Sequence, residues 1–267
     1  ATPGGHLFGN QCWGAVTLPR HVEQNPIRVL EVLFQNSADL HARFWRKESL
    51  LQTSWIKTTD YLKGENRVEW EFAIERMRGK WKALMRKVKN NQTTVKWSEA
   101  VRNEMEHALK HSSWSKFQSA FDTKKETTAF TLCHGDFHAG NTLWLGEQCS
   151  TPAILVDWAE VCVFCPFTDL AQFLVSHLAI DLRRKHEYEL FKLYHKRLVT
   201  QGVCERTFPL DKCWERYKFG GIERWLSVLT VIASIDPKEL PEHAVQWFHN
   251  QVSAFIEDHG TCDTVLY

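Results

Sequence analysis

Hydrophobic and polar residues follow a helical period over most of this chain. After an irregular, glycine-rich stretch of residues 1–26, apolar residues such as Val29, Leu33 and Phe44 recur three or four positions apart. Proline and glycine residues punctuate the later periodic segments and mark their ends. The pattern predicts helices over residues 27–45, 70–88, 97–121, 168–178, 181–203, 211–235 and 241–259.

The pattern changes character near residue 127. Three short apolar runs, residues 129–133, 141–145 and 153–156, have the length and composition of strands. The polar residues 146–152 separate the last two runs and predict a hairpin turn. The chain is therefore predicted to be an α+β protein that is mainly helical, with a small β-hairpin element inside a helical body. The predicted organisation is an irregular segment, residues 1–26, followed by one lobe, residues 27–267.

Composition and charge narrow the classes of partner. The net charge of +1 gives no electrostatic reason to expect a nucleic acid or a membrane surface as partner. No apolar run is long enough to span a bilayer, and no signal-peptide pattern is present. The eight cysteines are spread along the chain without the density of a disulfide framework. We therefore expect reduced thiols and a cytoplasmic location.

The chemically informative residues lie in and after the first predicted strand. His134, Gly135 and Asp136 form a tripeptide, and Asn141 follows Asp136 by five positions. Asp157 ends the next apolar strand, so a short hairpin would return it to the same place. Phosphoryl transfer needs a carboxylate beside the attacking hydroxyl and oxygen ligands for the Mg²⁺ that bridges the phosphates. Kinase catalytic loops separate the corresponding Asp and Asn by the same five positions.

This pattern resembles the aminoglycoside phosphotransferases and choline kinase-like proteins, which share the protein-kinase-like fold. In them a His-Gly-Asp loop replaces the His-Arg-Asp loop of protein kinases, and an apolar strand ends in Asp-Trp, as at Asp157. The segment from Asp169 to Leu174 is similar to the family helix below the catalytic loop, and residues 38–45 are similar to the helix that opens the C-terminal lobe. Arg183-Arg184 and Tyr194-His195 match the helix that follows. The likeness covers roughly residues 9–203.

The resemblance implies a role for each matching residue. Asp136 would be the catalytic base, and Asn141 and Asp157 would hold Mg²⁺. His134 would fix the loop, and Asp169 would bond to the loop backbone. The phosphate donor would be ATP, and the acceptor would be a hydroxyl group of a small molecule.

The sequence also departs from the family pattern before the helix that contains His41. Complete members carry an N-terminal lobe of several strands there, with a phosphate-covering loop and a lysine that pairs with the phosphates. The first forty residues show no such series, and Gly4, Gly5 and Gly9 are poorly placed for a phosphate loop. We therefore expect a C-terminal lobe whose N-terminal lobe is largely missing. Two functions follow as hypotheses: an ATP-dependent small-molecule kinase, or a catalytically incomplete remnant that only binds.

Alternation of His134, Asp136 and His138 leaves a metallohydrolase site open, since three such side chains on one strand face could ligate a metal. That interpretation leaves Asn141 and Asp157 without a role. We favour the view that His138 is a loop residue near the substrate entrance.

Other patterns have a structural and a functional interpretation. Cys162 and Cys165 have zinc-site spacing but lack a second pair, so buried thiols are expected. Tryptophans at helical spacing could line a substrate site or form core, and acidic residues beside them could meet an amino group or lie in solvent. A basic helix face could bind an acidic ligand or be solvated. The tryptophans are Trp214, Trp225 and Trp247, the acidic residues Asp211, Glu215 and Glu223, and the basic residues Arg76, Arg78, Lys80, Lys82, Arg86, Lys87 and Lys89.

Overall fold

A computed structural model describes residues 26–144, 153–260 and 264–267. Two short 3₁₀ turns, Ala139–Asn141 and Trp158–Glu160, lie beside the strands. The helices and strands of the described residues are, in chain order, α1 Pro26–Phe44, α2 Glu48–Leu51, α3 Thr59–Leu62, α4 Arg67–Lys89, α5 Glu99–His111, α6 Trp114–Ala120, β1 Thr131–Cys133, β2 Thr142–Trp144, β3 Ala153–Leu155, β4 Cys162–Phe164, α7 Phe167–His177, α8 Ile180–Thr200, α9 Leu210–Ile232 and α10 Glu242–His259.

The predicted class, α+β and mainly helical, is confirmed. The predicted irregular segment of residues 1–26 lies almost wholly outside the described residues, as does the turn at residues 146–152. Within the described ranges, no helix is both long enough and apolar enough to cross a membrane.

The single helix predicted over residues 97–121 is wrong, because the structure has two helices there. Ser112 and Ser113 both adopt extended backbone angles and separate α5 from α6. The Ser113 side chain accepts a hydrogen bond from the backbone N–H of Lys116, so it caps the N-terminus of α6. A serine that caps a new helix replaces the hydrogen bonds that a continuous helix would have made.

The strands form two separate antiparallel pairs. β2 pairs with β3 in the predicted hairpin, with Thr142 opposite Leu155. β1 pairs instead with β4, a strand that the sequence pattern did not predict, with Cys133 opposite Cys162. Three residues are too few for alternation to be recognised, so β4 is visible only through its pairing.

The described residues divide into two compact units. The first contains residues 26–59 and 129–217 of the described chain and carries all four strands. In it α1 packs against α8 and against β1. The Thr131 hydroxyl donates to the backbone oxygen of His41, which ties β1 to α1. Large aromatic side chains fill the core of this unit, and burial of each contributes about 1.5–3 kcal/mol; among them are Phe34, Phe167, Phe173, Phe191 and Tyr194.

The second unit contains residues 60–128 and the described residues from 218 onward. In it α4 packs with α6, and α5 packs with α10. Trp70, Trp81, Trp97 and Trp225 are buried in its core. The basic face of α4 is mostly exposed to solvent. That residues 27–267 form one lobe stays a prediction.

Candidate active site

The residues after β1 form a sharp loop that only glycine fits at its second position. Gly135 has φ +79°, in the left-handed region that L side chains rarely adopt. A Cβ atom added there would lie 1.9 Å from the backbone oxygen of Glu160. The loop therefore passes directly against the turn that follows Asp157.

The Asp136 carboxylate is held from several sides and still faces solvent. Gln172 donates from Nε2 to Oδ1 at 2.8 Å. Asn141 donates from Nδ2 to the Asp136 backbone oxygen at 2.9 Å and lies 3.4 Å from Oδ2. The Asp136 side chain is 37% exposed. The carboxylate is thus oriented by amide donors while a face of it can meet a ligand.

His138, two residues after Asp136, lies beside the same carboxylate. Its Nδ1 accepts a hydrogen bond from the Gly140 N–H at 3.1 Å, which assigns the ring hydrogen of the neutral form to Nε2. Nε2 lies 3.3 Å from Asp136 Oδ2. The ring of His177 lies nearly parallel to that of His138, with centroids 5.8 Å apart. Burial, with a smaller effect of His138, lowers the pKa of His177 to about 3.

The β2–β3 hairpin brings Asp157 next to Asn141 along the backbone. The Val156 backbone N–H donates to the backbone oxygen of Asn141 at 3.0 Å. Asp157 is the residue that follows Val156. Asp157 has φ +59°, and its left-handed conformation turns the chain away from the strand. His134 fastens the loop to this hairpin, because its Nε2 lies 2.9 Å from the Val156 oxygen.

Asp169 supports the loop from the first turn of α7. Its Oδ2 accepts the backbone N–H of His134 at 2.7 Å, and its Oδ1 accepts that of Gly135 at 3.1 Å. The carboxylate is buried, and charge-assisted hydrogen bonds of this kind are stronger than neutral ones. The two amides just before Asp136 are therefore fixed by one side chain.

The residues of the loop, the hairpin and the supporting helix lie in a segment that matches a protein-family model. The Ecdysteroid kinase-like family model matches residues 34–203, which is more than half of the chain. The chain belongs to this family. No curated protein and no solved structure matches the chain.

The Ecdysteroid kinase-like family consists of kinase-like enzymes in the protein-kinase-like superfamily. Choline kinases and aminoglycoside phosphotransferases are its relatives there, so the resemblance found in the sequence is confirmed at the superfamily level. The matched segment contains the loop, the hairpin and α7, and ends just after α8.

The structure brings the predicted residues together as follows. Asn141 is hydrogen bonded to Asp136, and Asp157 follows the residue whose backbone pairs with Asn141. His134 is the first residue of the loop, and Asp169 accepts its backbone N–H. A metal site built on His134, Asp136 and His138 does not fit this geometry. The His134 ring donates from Nε2 to the backbone oxygen of Val156, and its Nδ1 accepts the backbone N–H of Asp136. Neither ring nitrogen is therefore left for a metal.

Sequence reasoning missed the role of Gln172. It lies three residues after Asp169, on the same face of α7, so both side chains reach the loop that follows β1. Gln172 is buried, and its amide nitrogen meets Asp136. A polar residue one helical turn beyond Asp169, in a mainly apolar segment, was the available signal.

Proposed function

We propose that this protein transfers the γ-phosphoryl group of ATP to a hydroxyl group of a small molecule. The observation that carries the proposal is the catalytic loop: Asp136 is oriented by amide donors, is open to solvent, and lies beside Asn141 at the start of a hairpin that ends at Asp157. Membership of a family of kinase-like enzymes supports the same reaction class.

Asp136 is proposed as the catalytic base. Its carboxylate orients the acceptor hydroxyl and takes its proton as the hydroxyl oxygen bonds to the γ-phosphorus. The bond from that phosphorus to the β,γ-bridging oxygen breaks, and ADP leaves. The donors on Gln172 and Asn141 hold the carboxylate in place before the substrate arrives, so little reorganisation is needed in the reaction.

Asn141 and Asp157 fit a Mg²⁺ site by the chemistry of their donor atoms. Both hydrogen bonds of the Asn141 side chain to Asp136 use the amide nitrogen, which directs the amide oxygen elsewhere. Asp157 is exposed and adds a carboxylate. Amide and carboxylate oxygens are ligands that Mg²⁺ accepts. When bound, the ion would neutralise charge on the phosphates of ATP.

The acceptor is proposed to be a small hydroxylated molecule rather than a nucleic acid or a membrane component. The name of the family makes an ecdysteroid the first acceptor to test. We propose the cytoplasm as the place of the reaction. The eight cysteines are spread along the chain without the density of a disulfide framework, which fits a reducing compartment.

Phosphoryl transfer can be tested by following ADP release from the purified protein with ATP, Mg²⁺ and an acceptor panel containing an ecdysteroid, choline and an aminoglycoside. We expect turnover that depends on Mg²⁺ and on one acceptor. Asp136→Asn should lower kcat by about 10²- to 10⁴-fold, the usual contribution of a general base.

Asp181→Asn is the matched control, because Asp181 is an exposed aspartate at the start of α8, outside the loop and the hairpin. It should leave turnover unchanged. Absence of Mg²⁺-dependent turnover with every acceptor, together with absence of ATP binding, would instead favour the second hypothesis, a kinase-like protein that only binds. Turnover that survives Asp136→Asn would remove Asp136 from the mechanism.

A further inference from the structure

Two cysteines lie directly opposite each other in the β1–β4 pair. Cys133 ends β1, Cys162 begins β4, and the register makes them partners. Opposite residues of an antiparallel pair direct their side chains to the same face of the sheet. Their Cα atoms are about 4.5–5.5 Å apart, within the range of about 4.4–6.8 Å that disulfides span. The backbone therefore gives this pair the spacing that a disulfide needs.

The two side chains are also in contact, and their register is held firmly. Burial raises the pKa of the Cys133 thiol well above its usual value, and a hydrogen bond with Cys162 raises it further. On the other edge of β4, the Lys57 N–H donates to the Val161 oxygen at 3.3 Å, and the Val163 N–H donates to the Lys57 oxygen at 3.1 Å. Because β4 is paired on both edges, Cys162 is fixed opposite Cys133.

The two cysteines differ in their access to solvent. Cys133 is fully buried, whereas Cys162 is partly exposed. A dissolved oxidant therefore reaches the Cys162 sulfur, and the Cys133 sulfur can only react with a group inside the fold. Cys165 lies three residues beyond Cys162, a distance of about 10 Å along an extended strand, so it does not face Cys133.

We propose that Cys133 and Cys162 form a reversible disulfide, an oxidation site next to the candidate active site. Hydrogen peroxide oxidises the Cys162 thiol to a sulfenic acid and releases one water. The Cys133 sulfur then attacks the Cys162 sulfur, the S–O bond breaks, and the departing hydroxide leaves as a second water with the Cys133 proton. One peroxide is thus reduced as two thiols are oxidised. A thiol reductant reverses the reaction, so in a reducing compartment the bond is transient.

The disulfide would displace the loop that follows β1. His134, the first residue of this loop, comes directly after Cys133, and Cys162 lies two residues after Glu160. The Glu160 backbone oxygen passes so close to Gly135 that an added Cβ would lie 1.9 Å from it. Cβ atoms of opposite residues must approach by about 1 Å to reach disulfide spacing. A shift of this size can lower turnover by about 100-fold, and this consequence alone rests on the proposed function.

Peptide mapping of the whole chain tests the disulfide directly. The protein is treated with hydrogen peroxide, unfolded, alkylated at its remaining thiols, and cleaved after glutamate without reduction. Glu147 and Glu160 lie between Cys133 and Cys162, so the two cysteines fall on separate peptides that only a disulfide joins. Tandem mass spectrometry of the joined peptides distinguishes Cys162 from Cys165, and the map covers all eight cysteines.

We expect wild-type protein to yield joined peptides of Cys133 and Cys162, which dithiothreitol separates. Cys162→Ser should yield no peptide joined to that of Cys133. Cys204→Ser is the control, because Cys204 is an exposed cysteine outside β1 and β4, and this variant should form the disulfide as wild type does. Where turnover is measured, peroxide should lower the wild-type kcat by roughly 10- to 100-fold and dithiothreitol should restore it. Cys162→Ser should keep its kcat in peroxide.

A disulfide between Cys162 and Cys165 would overturn the proposal. So would Cys162 recovered as a sulfinic acid with Cys133 alkylated, or both cysteines recovered as unreacted thiols after peroxide. Unchanged turnover in protein that carries the disulfide quantitatively would reject the effect on the reaction. Formation of the disulfide in protein without turnover in either redox state would retain the oxidation site and reject the proposed function.

Discussion

At the scale of single residues, Gly135 is the position where the candidate catalytic loop tolerates a side chain least. Replacement by alanine would force an L residue to φ +79° and place its Cβ against the Glu160 backbone oxygen, so the loop or the following turn must move. We expect Gly135→Ala to lower the free energy of unfolding by about 3 kcal/mol or more, from backbone strain together with overpacking. Urea unfolding followed by far-UV circular dichroism measures the change.

Gly202 is the matched control, because it also has a positive φ, +100°, but nothing lies within 4 Å of an added Cβ. Gly202→Ala should cost only about 1–2 kcal/mol, the conformational term alone. Equal losses for the two variants would show that the close approach to Glu160 is not the source of the strain.

Residue-scale features differ in how far the sequence reveals them. The spacing of Asp136 and Asn141 is local, so it could be recognised directly, and the structure places the two side chains in contact. The contact of Gln172 with Asp136 joins residues that are 36 positions apart, so the sequence shows the polar residue but not its partner. Gln172 lay inside a segment that resembled the family, and its partner appears only once the chain is folded.

At the scale of elements, α8 carries a buried ion pair on its inner face. Arg183 donates to Glu187 at 3.0 Å one turn later, and both side chains are almost fully buried. Loss of one partner leaves a buried charge without this counter-charge, which costs about 3–5 kcal/mol. We expect Glu187→Met to lower the free energy of unfolding by that amount, and thermal and urea unfolding both measure it.

Replacement of both residues, Arg183→Met with Glu187→Met, should cost less than Glu187→Met alone, because no charge is then stranded. The exposed pair of Arg28 and Glu31 on α1 serves as a comparison, and Glu31→Gln should change stability by less than about 1 kcal/mol. A double variant that is no more stable than Glu187→Met would contradict this account.

Element positions were predictable where the apolar period is long. Helices α1, α4, α7, α8 and α9 begin and end within three residues of the predicted bounds. The period could not show the break between α5 and α6, because Ser112 and Ser113 interrupt it for only two positions and the apolar spacing continues. The pairing of β1 with β4 was also hidden, since it joins residues about thirty positions apart.

At the scale of the whole molecule, burial of His177 links the stability of the fold to pH. Its pKa is lowered from 6.5 to about 3, with burial as the main cause. Between these values the unfolded chain binds a proton on this ring and the folded chain does not. The contribution of His177 therefore destabilises the fold progressively as pH falls from 6.5 toward 3, by at most about 1.4 kcal/mol per pH unit.

His177→Asn removes this titration and keeps a polar group near Nδ1. From pH 6.5 to pH 5, wild-type protein should lose up to about 2 kcal/mol more unfolding free energy than the variant. Urea unfolding at a series of pH values measures how the unfolding free energy of each protein changes with pH. Carboxylates titrate in both proteins, so their contribution drops out of the difference between the two slopes. Parallel slopes for wild type and His177→Asn would show that the fold does not lower the pKa of His177.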